Sequence, residues 1–160
     1  MSLILRPMAP EEYPLLEEFL YQAIFVPEGY PVPDRQIVQL PELQLYIKDF
    51  GRDLHDKAMV AEVNGQIAGA VWVRIMPDYG HIDDEIPSLS VSLLPSYRGQ
   101  GIGRALLAAF LVWLKMEGCQ RVSLSVQKAN PAFYLYQQLG FQIFRQNKED
   151  CIMICDLSNL

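Results

Sequence analysis

Three glycines in five residues, Gly99, Gly101 and Gly103, stand between a strand-like segment ending in Leu93-Leu94-Pro95 and a helix-like segment starting near Ile102. Glycine lets the backbone approach a ligand closely, and the unpaired N–H groups and dipole of a new helix favour an anion, so this pattern can cradle phosphate. A plain strand-to-helix turn uses the same residues. Two other phosphate motifs do not fit: the Lys and Ser/Thr of a Walker loop are missing, and the three glycines cannot be spaced as G-x-G-x-x-G. Upstream, Asp83, Asp84 and Glu85 form an acidic loop, while His55 and His81 stand alone in polar loops, which suits surface or capping roles. Cys119, Cys151 and Cys155 have neither C-x-x-C spacing nor a histidine cluster, which disfavours a disulfide framework or a zinc site, and no metal is implied. Cys151 and Cys155 lie on one face of a strand and read as small buried hydrophobes.

These residues need a scaffold, and the apolar pattern supplies one. A strand at 2–6 precedes a helix running through about Ala23, with Tyr13, Leu16, Phe19, Leu20, Ala23 and Ile24 at helical spacing. Residues 26–35 hold three prolines and a glycine and form a loop; a second helix spans parts of 34–49, with Pro41 able to break it. Strands at 57–63 and 66–75 flank Asn64-Gly65, a strong hairpin signal. Residues 88–94 alternate, placing Leu89, Val91 and Leu93 on one apolar face and Ser88, Ser90 and Ser92 on the other. A helix at 102–117 carries the stripe Ile102, Leu106, Ala109, Phe110, Trp113 and Met116, and Gly118 stops it. A strand at 121–126, a helix opened by Asn130-Pro131 and closed by Gly140, and a terminal hairpin of 141–146 with 151–157 complete the chain. The order is a mixed α/β pattern around one central sheet, in one domain over 1–160.

The 160 residues are 51% hydrophobic and 20% charged, the proportions of an ordinary globular domain long enough to bury its own core. A formal net charge of −6 argues against a broad electropositive face, hence against nucleic acid or anionic lipid as partner. No apolar run approaches a membrane span, and the N-terminus lacks the layout of a secretory signal, so the expected location is the cytoplasm.

Two segments then carry a resemblance. Arg98-x-x-Gly101-x-Gly103 is similar to the Q/R-x-x-G-x-G/A signature of the GNAT acetyltransferase superfamily, and it follows a strand ending Leu-Leu-Pro, as that signature requires. Some 30 residues on, Asn130-Pro131-Ala132-Phe133-Tyr134-Leu135-Tyr136-Gln137-Gln138-Leu139-Gly140-Phe141 resembles the N-P-A-x-x-L-Y-x-x-L-G-F element of the same superfamily. The resemblance implies a mostly antiparallel twisted sheet of six or seven strands with a splayed parallel pair, flanked by about four helices. It also implies acetyl-CoA as co-substrate. The free backbone groups of Leu93 and Leu94 would pair with the pantetheine arm. The N–H groups of Arg98, Gly99, Gln100, Gly101, Ile102, Gly103 and Arg104 would hold the pyrophosphate, with the two arginine side chains as adjuncts. Asn130 would contact pantetheine, and Phe133 and Tyr136 would face the cofactor.

Tyr136 occupies the position that commonly protonates the departing thiolate. The general base is less determined: many relatives place Glu near the start of the signature strand, where this chain has Ser88. Glu85 is the first candidate, against the alternative that the acidic loop only attracts a cationic acceptor. The expected reaction is direct attack of a primary amine on the thioester in a ternary complex, the acceptor being a small cationic amine. A peptide N-terminus or lysine, and a non-catalytic acyl-CoA sensor, stand as alternatives. Arg74 could pair with the 83–85 carboxylates or meet an anionic acceptor, Tyr30 could line the acceptor site, and the exposed sheet edges of the terminal hairpin would suit a homodimer.

Overall fold

A computed structural model describes residues 2–160. Alternating apolar segments become seven strands: β1 (Leu3–Pro7), β2 (Lys57–Val63), β3 (Gln66–Arg74), β4 (Ser88–Leu93), β5 (Arg121–Gln127), β6 (Phe141–Gln146) and β7 (Asp150–Asp156). They form one sheet in the order β1-β2-β3-β4-β5-β7-β6. Every neighbouring pair is antiparallel except β4 with β5. The β2–β3 turn has φ of 51° at Asn64 and 83° at Gly65, the two positive values that a type I′ hairpin demands. Among the described residues no helix is long and apolar enough to cross a membrane.

Helices cover both faces. On one, α3 (Ile102–Met116) buries Ile102, Leu106, Leu107, Phe110, Leu111 and Leu114 against the sheet. The stripe therefore sits further round the helix than the sequence spacing predicts, and Met116, expected in the core, is 79% exposed in the last turn. α4 (Ala132–Gln138) lies on the same side, with Tyr136 in that core. On the other face, α1 (Leu16–Ala23) packs Leu16, Phe19 and Leu20 onto Val60, Ala70 and Trp72. The first predicted helix divides here: Pro10–Leu15 is a 3-10 helix, and only from Leu16 does the α-helix run. The second divides at Pro41, between a 3-10 turn at Arg35–Gln39 and the short α2 (Pro41–Gln44).

Strand β4 has no fully exposed residue. Its apolar side joins the α3 core, and on its serine side the two ends are buried with polar partners, Ser92 Oγ donating to the Phe19 carbonyl at 2.6 Å and Ser88 Oγ to Asp78 Oδ1 at 2.9 Å, while Ser90 between them is half-buried. Gly69 on β3 makes room for this strand, since a Cβ there would lie 2.2 Å from Leu93 Cδ2.

Two ion pairs fasten the periphery of the α1 face. Arg74 meets buried Asp56 at 2.8 Å and donates to the Leu45 and Lys48 carbonyls, which settles its partner as Asp56 and not the 83–85 loop. Arg6 donates to both carboxylate oxygens of Glu12, at 2.8 and 2.9 Å, and Glu12 also accepts the Ala9 N–H. The Arg6 contact, opposed by burial and assisted by the Ala9 N–H, pulls the Glu12 carboxyl down to about 2 from 4.5. A depressed carboxylate stabilises the fold above its unfolded pKa and ceases to do so as pH falls through the folded one. Glu12→Gln should therefore lower stability at pH 7 by about 1 kcal/mol, allowing for the partial exposure of the pair. In thermal melts, the gap between the wild type and the variant should close as pH falls from 5 toward 2. A gap that stays constant over that range would remove the ion pair as its cause.

Candidate active site

The parallel strands β4 and β5 share a single bridge, Ser88 opposite Ser123, with Ser123 N–H donating to the Pro87 carbonyl at 3.0 Å. Each strand is fully paired on its other side, β4 to β3 over six residues and β5 to β7 over seven. Past the bridge they diverge, leaving a slot through the sheet that opens into a cleft of about 840 Å³. Leu94 N–H donates to the Ala68 carbonyl at 2.8 Å, next to the Leu93–Gly69 pairing. In an antiparallel ladder the bonding direction alternates, so Ser88, Ser90 and Ser92 bond β3 while Val91 and Leu93 turn their N–H and C=O groups into the slot. This corrects the assignment of Leu94, whose amide is already paired, and adds Val91, which a reading of the Leu-Leu-Pro motif alone passes over.

At the end of β4 the chain makes a 3-10 turn, Pro95–Tyr97, and then the glycine-rich loop. Gly99 has φ of 74° and Gly101 of 82°, left-handed conformations that a side chain would strain, and a Cβ at either would point into open space. Arg98 N–H is used by the Pro95 carbonyl, so the run of unpaired donors starts one residue later than the motif suggests. From Gly99 to Arg104, six successive N–H groups have no acceptor among the described residues, and the next, Ala105, bonds back to Gly101. Arg98 reaches from this loop toward α1, donating to Gln22 Oε1 at 3.0 Å and to the Leu93 carbonyl at 3.3 Å, and it lines the cleft. Arg104 points away, to Gln138 Oε1 at 2.6 Å, and fastens α3 to α4. Ile102 is core.

From the α4 side, Tyr136 enters the cleft, only 9% exposed, its ring edge-on to Phe141 at 5.9 Å. Burial pushes its phenol up to about 12. Asn130 also lines the cleft, but its Oδ1 accepts the Ala132 N–H at 2.9 Å and caps α4, leaving the amide nitrogen for a ligand. Phe133, expected to face the cofactor, packs instead on the α3 core and edge-on to Tyr134 at 5.5 Å, because one helical step turns it away from the slot.

The acidic residues are placed differently from the expectation. Glu85 is exposed and lines a separate hollow of about 440 Å³ beside the end of α3, not the cleft. The reason is local: Asp83 Oδ1 accepts the Glu85 N–H at 2.7 Å, a tight turn that sends the next side chain outward. Asp84 pairs with His81 at 3.3 Å. The carboxylate that does line the cleft is Asp78, held by Ser88 Oγ at 2.9 Å and by the Tyr46 hydroxyl at 3.4 Å. Burial raises its pKa, opposed by the hydrogen bonds from Ser88, the Gly80 N–H and Tyr46. The sequence carried one signal for it: a serine stands where the resemblance expects a glutamate, and a short side chain there leaves room for a carboxylate from elsewhere. Tyr30 is exposed and Val32 and Pro33 line the rim in its place, on a loop pinned by the Tyr21 hydroxyl donating to the Pro33 carbonyl at 2.5 Å.

Among curated proteins, a [ribosomal protein bS18]-alanine N-acetyltransferase of Haemophilus influenzae is 38% identical over 58 residues, 36% of this chain and 40% of that protein. An N-alpha-acetyltransferase of Sulfurisphaera tokodaii is 36% identical over 92 residues, 52% of this chain and 54% of that one. The matched stretches thus span about half the length of these relatives. In fold, the crystal structure of PaiA N-acetyltransferase from Thermoplasma acidophilum in complex with coenzyme A aligns with a TM-score of 0.70 at 22% identity, covering 98% of this chain and 99% of that one. The description "Acetyltransferase (GNAT) family" belongs to the family model that matches residues 18–141, a span running from α1 through both motifs to the start of β6. On that match the chain belongs to the GNAT acetyltransferase family.

Proposed function

We propose that the protein transfers an acetyl group from acetyl-CoA to a primary amine, with both substrates bound at once. The observation that carries this reading is the slot between β4 and β5, whose lining extends from a buried phenol to Arg98, the residue just before a row of six unpaired N–H groups. The residues fit the co-substrate: the amides of Gly99 to Arg104 can take the diphosphate without net positive charge, and the Val91 and Leu93 backbone can pair with an amide-bearing arm as a strand would. Bound there, acetyl-CoA supplies a thioester carbonyl and a thiolate leaving group. A slot-facing N–H of β4 can donate to the carbonyl oxygen as it gains charge. Tyr136 can donate to the sulfur, and Asn130 Nδ2 can hold the arm. Holding amine and thioester in one cleft is itself a large part of the acceleration. The naming of the relatives as N-acetyltransferases supports amine over alcohol or thiol as the acceptor class.

The test is calorimetry with acetyl-CoA together with thiol release over a panel of amines. The wild type should bind, and Gly101→Val should weaken binding at least about tenfold, since a branched residue at that positive φ strains the loop and reorients its donors. Absence of acetyl-CoA binding would refute the reading. Binding without thiol release on any amine would replace it with a non-catalytic acyl-CoA sensor.

A further inference from the structure

Side chains reach the slot from opposite faces of the sheet. Leu89, Val91 and Leu93 belong to the α3 core, as does Tyr136, so Tyr136 approaches from the α3–α4 side. The serine side of β4 faces α1, and Asp78 hangs from it through Ser88. Asp78 and Tyr136 thus flank the gap from its two sides, one poised to receive a proton and one to give a hydrogen bond.

The α1 side of the cleft has a distinctive chemistry. Of all the residues lining it, Asp78 and Arg98 alone carry charge. Arg98 sits at the glycine-loop end and is already engaged by Gln22 and the Leu93 carbonyl. The same lining contributes Leu20, Phe25, Val32, Leu43 and the ring of Tyr46, with Tyr21 pinned to the rim loop, and its serines, Ser90 and Ser125 among them, are polar but uncharged. The acidic triad that would have suited a polycation lies elsewhere: Glu85 lines the other hollow, Asp84 meets His81, and Asp83 is taken up by the turn.

Resting on the acetyl-CoA reading above, we propose that this half of the cleft is the acceptor subsite for a primary monoamine with an apolar body, whose ammonium sits on Asp78 and loses its proton there. One carboxylate satisfies one ammonium. A second ammonium along the same chain would find no second carboxylate in the lining, and a phosphate or sugar acid would face the Asp78 carboxylate, the one cation of the lining, Arg98, standing at the glycine-loop end; both are unfavourable. The proton count closes. The ammonium gives one proton to Asp78, the freed lone pair forms the N–C bond, the C–S bond breaks with its electron pair going to sulfur, and the second N–H proton ends on the thiol. Asp78 passes its proton to solvent, one per turnover. Ser88 and Tyr46 are positioning residues: they hold the two carboxylate oxygens from β4 and from the turn after α2. Tyr46, itself raised by burial, is the one titratable side chain bonded to Asp78; Tyr136 faces it across the gap.

The experiment is thiol release with phenethylamine, hexylamine, spermidine, glucosamine 6-phosphate and a short peptide with an apolar N-terminal residue. It is run on the wild type, Asp78→Asn and Ser88→Ala, with acetyl-CoA affinity measured calorimetrically on each. We expect kcat/KM for the apolar monoamines to exceed that for spermidine and the sugar phosphate by at least about tenfold. Asp78→Asn should lower it about 100-fold while leaving acetyl-CoA affinity within about twofold. Ser88→Ala removes a bond that holds the Asp78 pKa down, so its acid limb should move to higher pH, a change that loosened packing alone would not produce. The peptide arm separates a free amine from a chain terminus bearing the same ammonium and apolar group. Preference for spermidine or the sugar phosphate, or full activity in Asp78→Asn, overturns the proposal while acetyl-CoA binding persists. Loss of acetyl-CoA binding in the wild type overturns the reading beneath it.

Discussion

Tyr136→Phe is expected to lower kcat about 100-fold, the low end of what a positioned proton donor contributes, with acetyl-CoA affinity changed by no more than about twofold. The substitution deletes one oxygen and no packing, because the ring stays edge-on to Phe141 in the α3 core. Burial holds the phenol at about 12, so it remains protonated throughout the range in which the enzyme can be assayed. Against a thiol near 8.5, complete early transfer of that proton is uphill by roughly 5 kcal/mol, so in the proposed reaction the hydroxyl would serve as a hydrogen-bond donor whose worth grows as charge builds on sulfur. An interaction made mainly in the transition state lowers kcat and leaves ground-state binding nearly untouched. The wild-type pH profile should show no alkaline fall attributable to this group below about pH 12, and the variant should have the same limbs at reduced height. Steady-state kinetics with unchanged kcat would remove Tyr136 from the chemistry and leave it a packing residue.

Arg74→Ala is expected to destabilise the fold by about 3–5 kcal/mol, the largest loss of any single exchange considered, because it strands a charge. The Asp56 side chain is 1% exposed and keeps only the N–H groups of Gly51 and Asp53 once the guanidinium is gone. The Leu45 and Lys48 carbonyls lose their donor at the same time, and the Phe50 ring loses the cation lying 5.4 Å from its centre. Denaturant unfolding should show the loss, and Asp56→Asn combined with Arg74→Met should recover much of it by removing the stranded charge. A double variant as unstable as the single would mean the carbonyl contacts dominate. Activity should suffer along with stability, since this turn also carries Tyr46, whose carbonyl receives the Trp72 indole N–H at 3.1 Å.

What could be read from the sequence was what depends on neighbours in the chain. The Asn64-Gly65 turn, the glycine loop and α4 with its tyrosine declare themselves by local backbone needs. The six-to-seven-strand sheet with one splayed pair followed from the resemblance those motifs carry. Asp78 was hidden because its partners are Ser88 and Tyr46, ten and 32 residues away, and nothing in the run of acidic residues distinguishes it from Glu85. Met116 was misplaced because apolar spacing leaves the rotation of a helix uncertain by about one residue, and Phe133 because a motif carries the order of residues along α4 without saying which of them the α3 core takes up. Arg74 could not be paired without knowing that the turn at 45–56 folds back onto the end of β3.

The single bridge between β4 and β5 bears on solubility as much as on binding. Unpaired strand edges at the rim of a sheet invite other chains to add on, and proteins commonly blunt them with charge, bulges or short strands. Here two such edges face one another inside the sheet, between helices on both sides. A polypeptide strand arriving from another molecule would have to thread between them, whereas a slender chain bearing one or two amides could slip in lengthwise. The fold thereby keeps a stretch of hydrogen-bonding backbone permanently available to a guest without displaying it to its own kind.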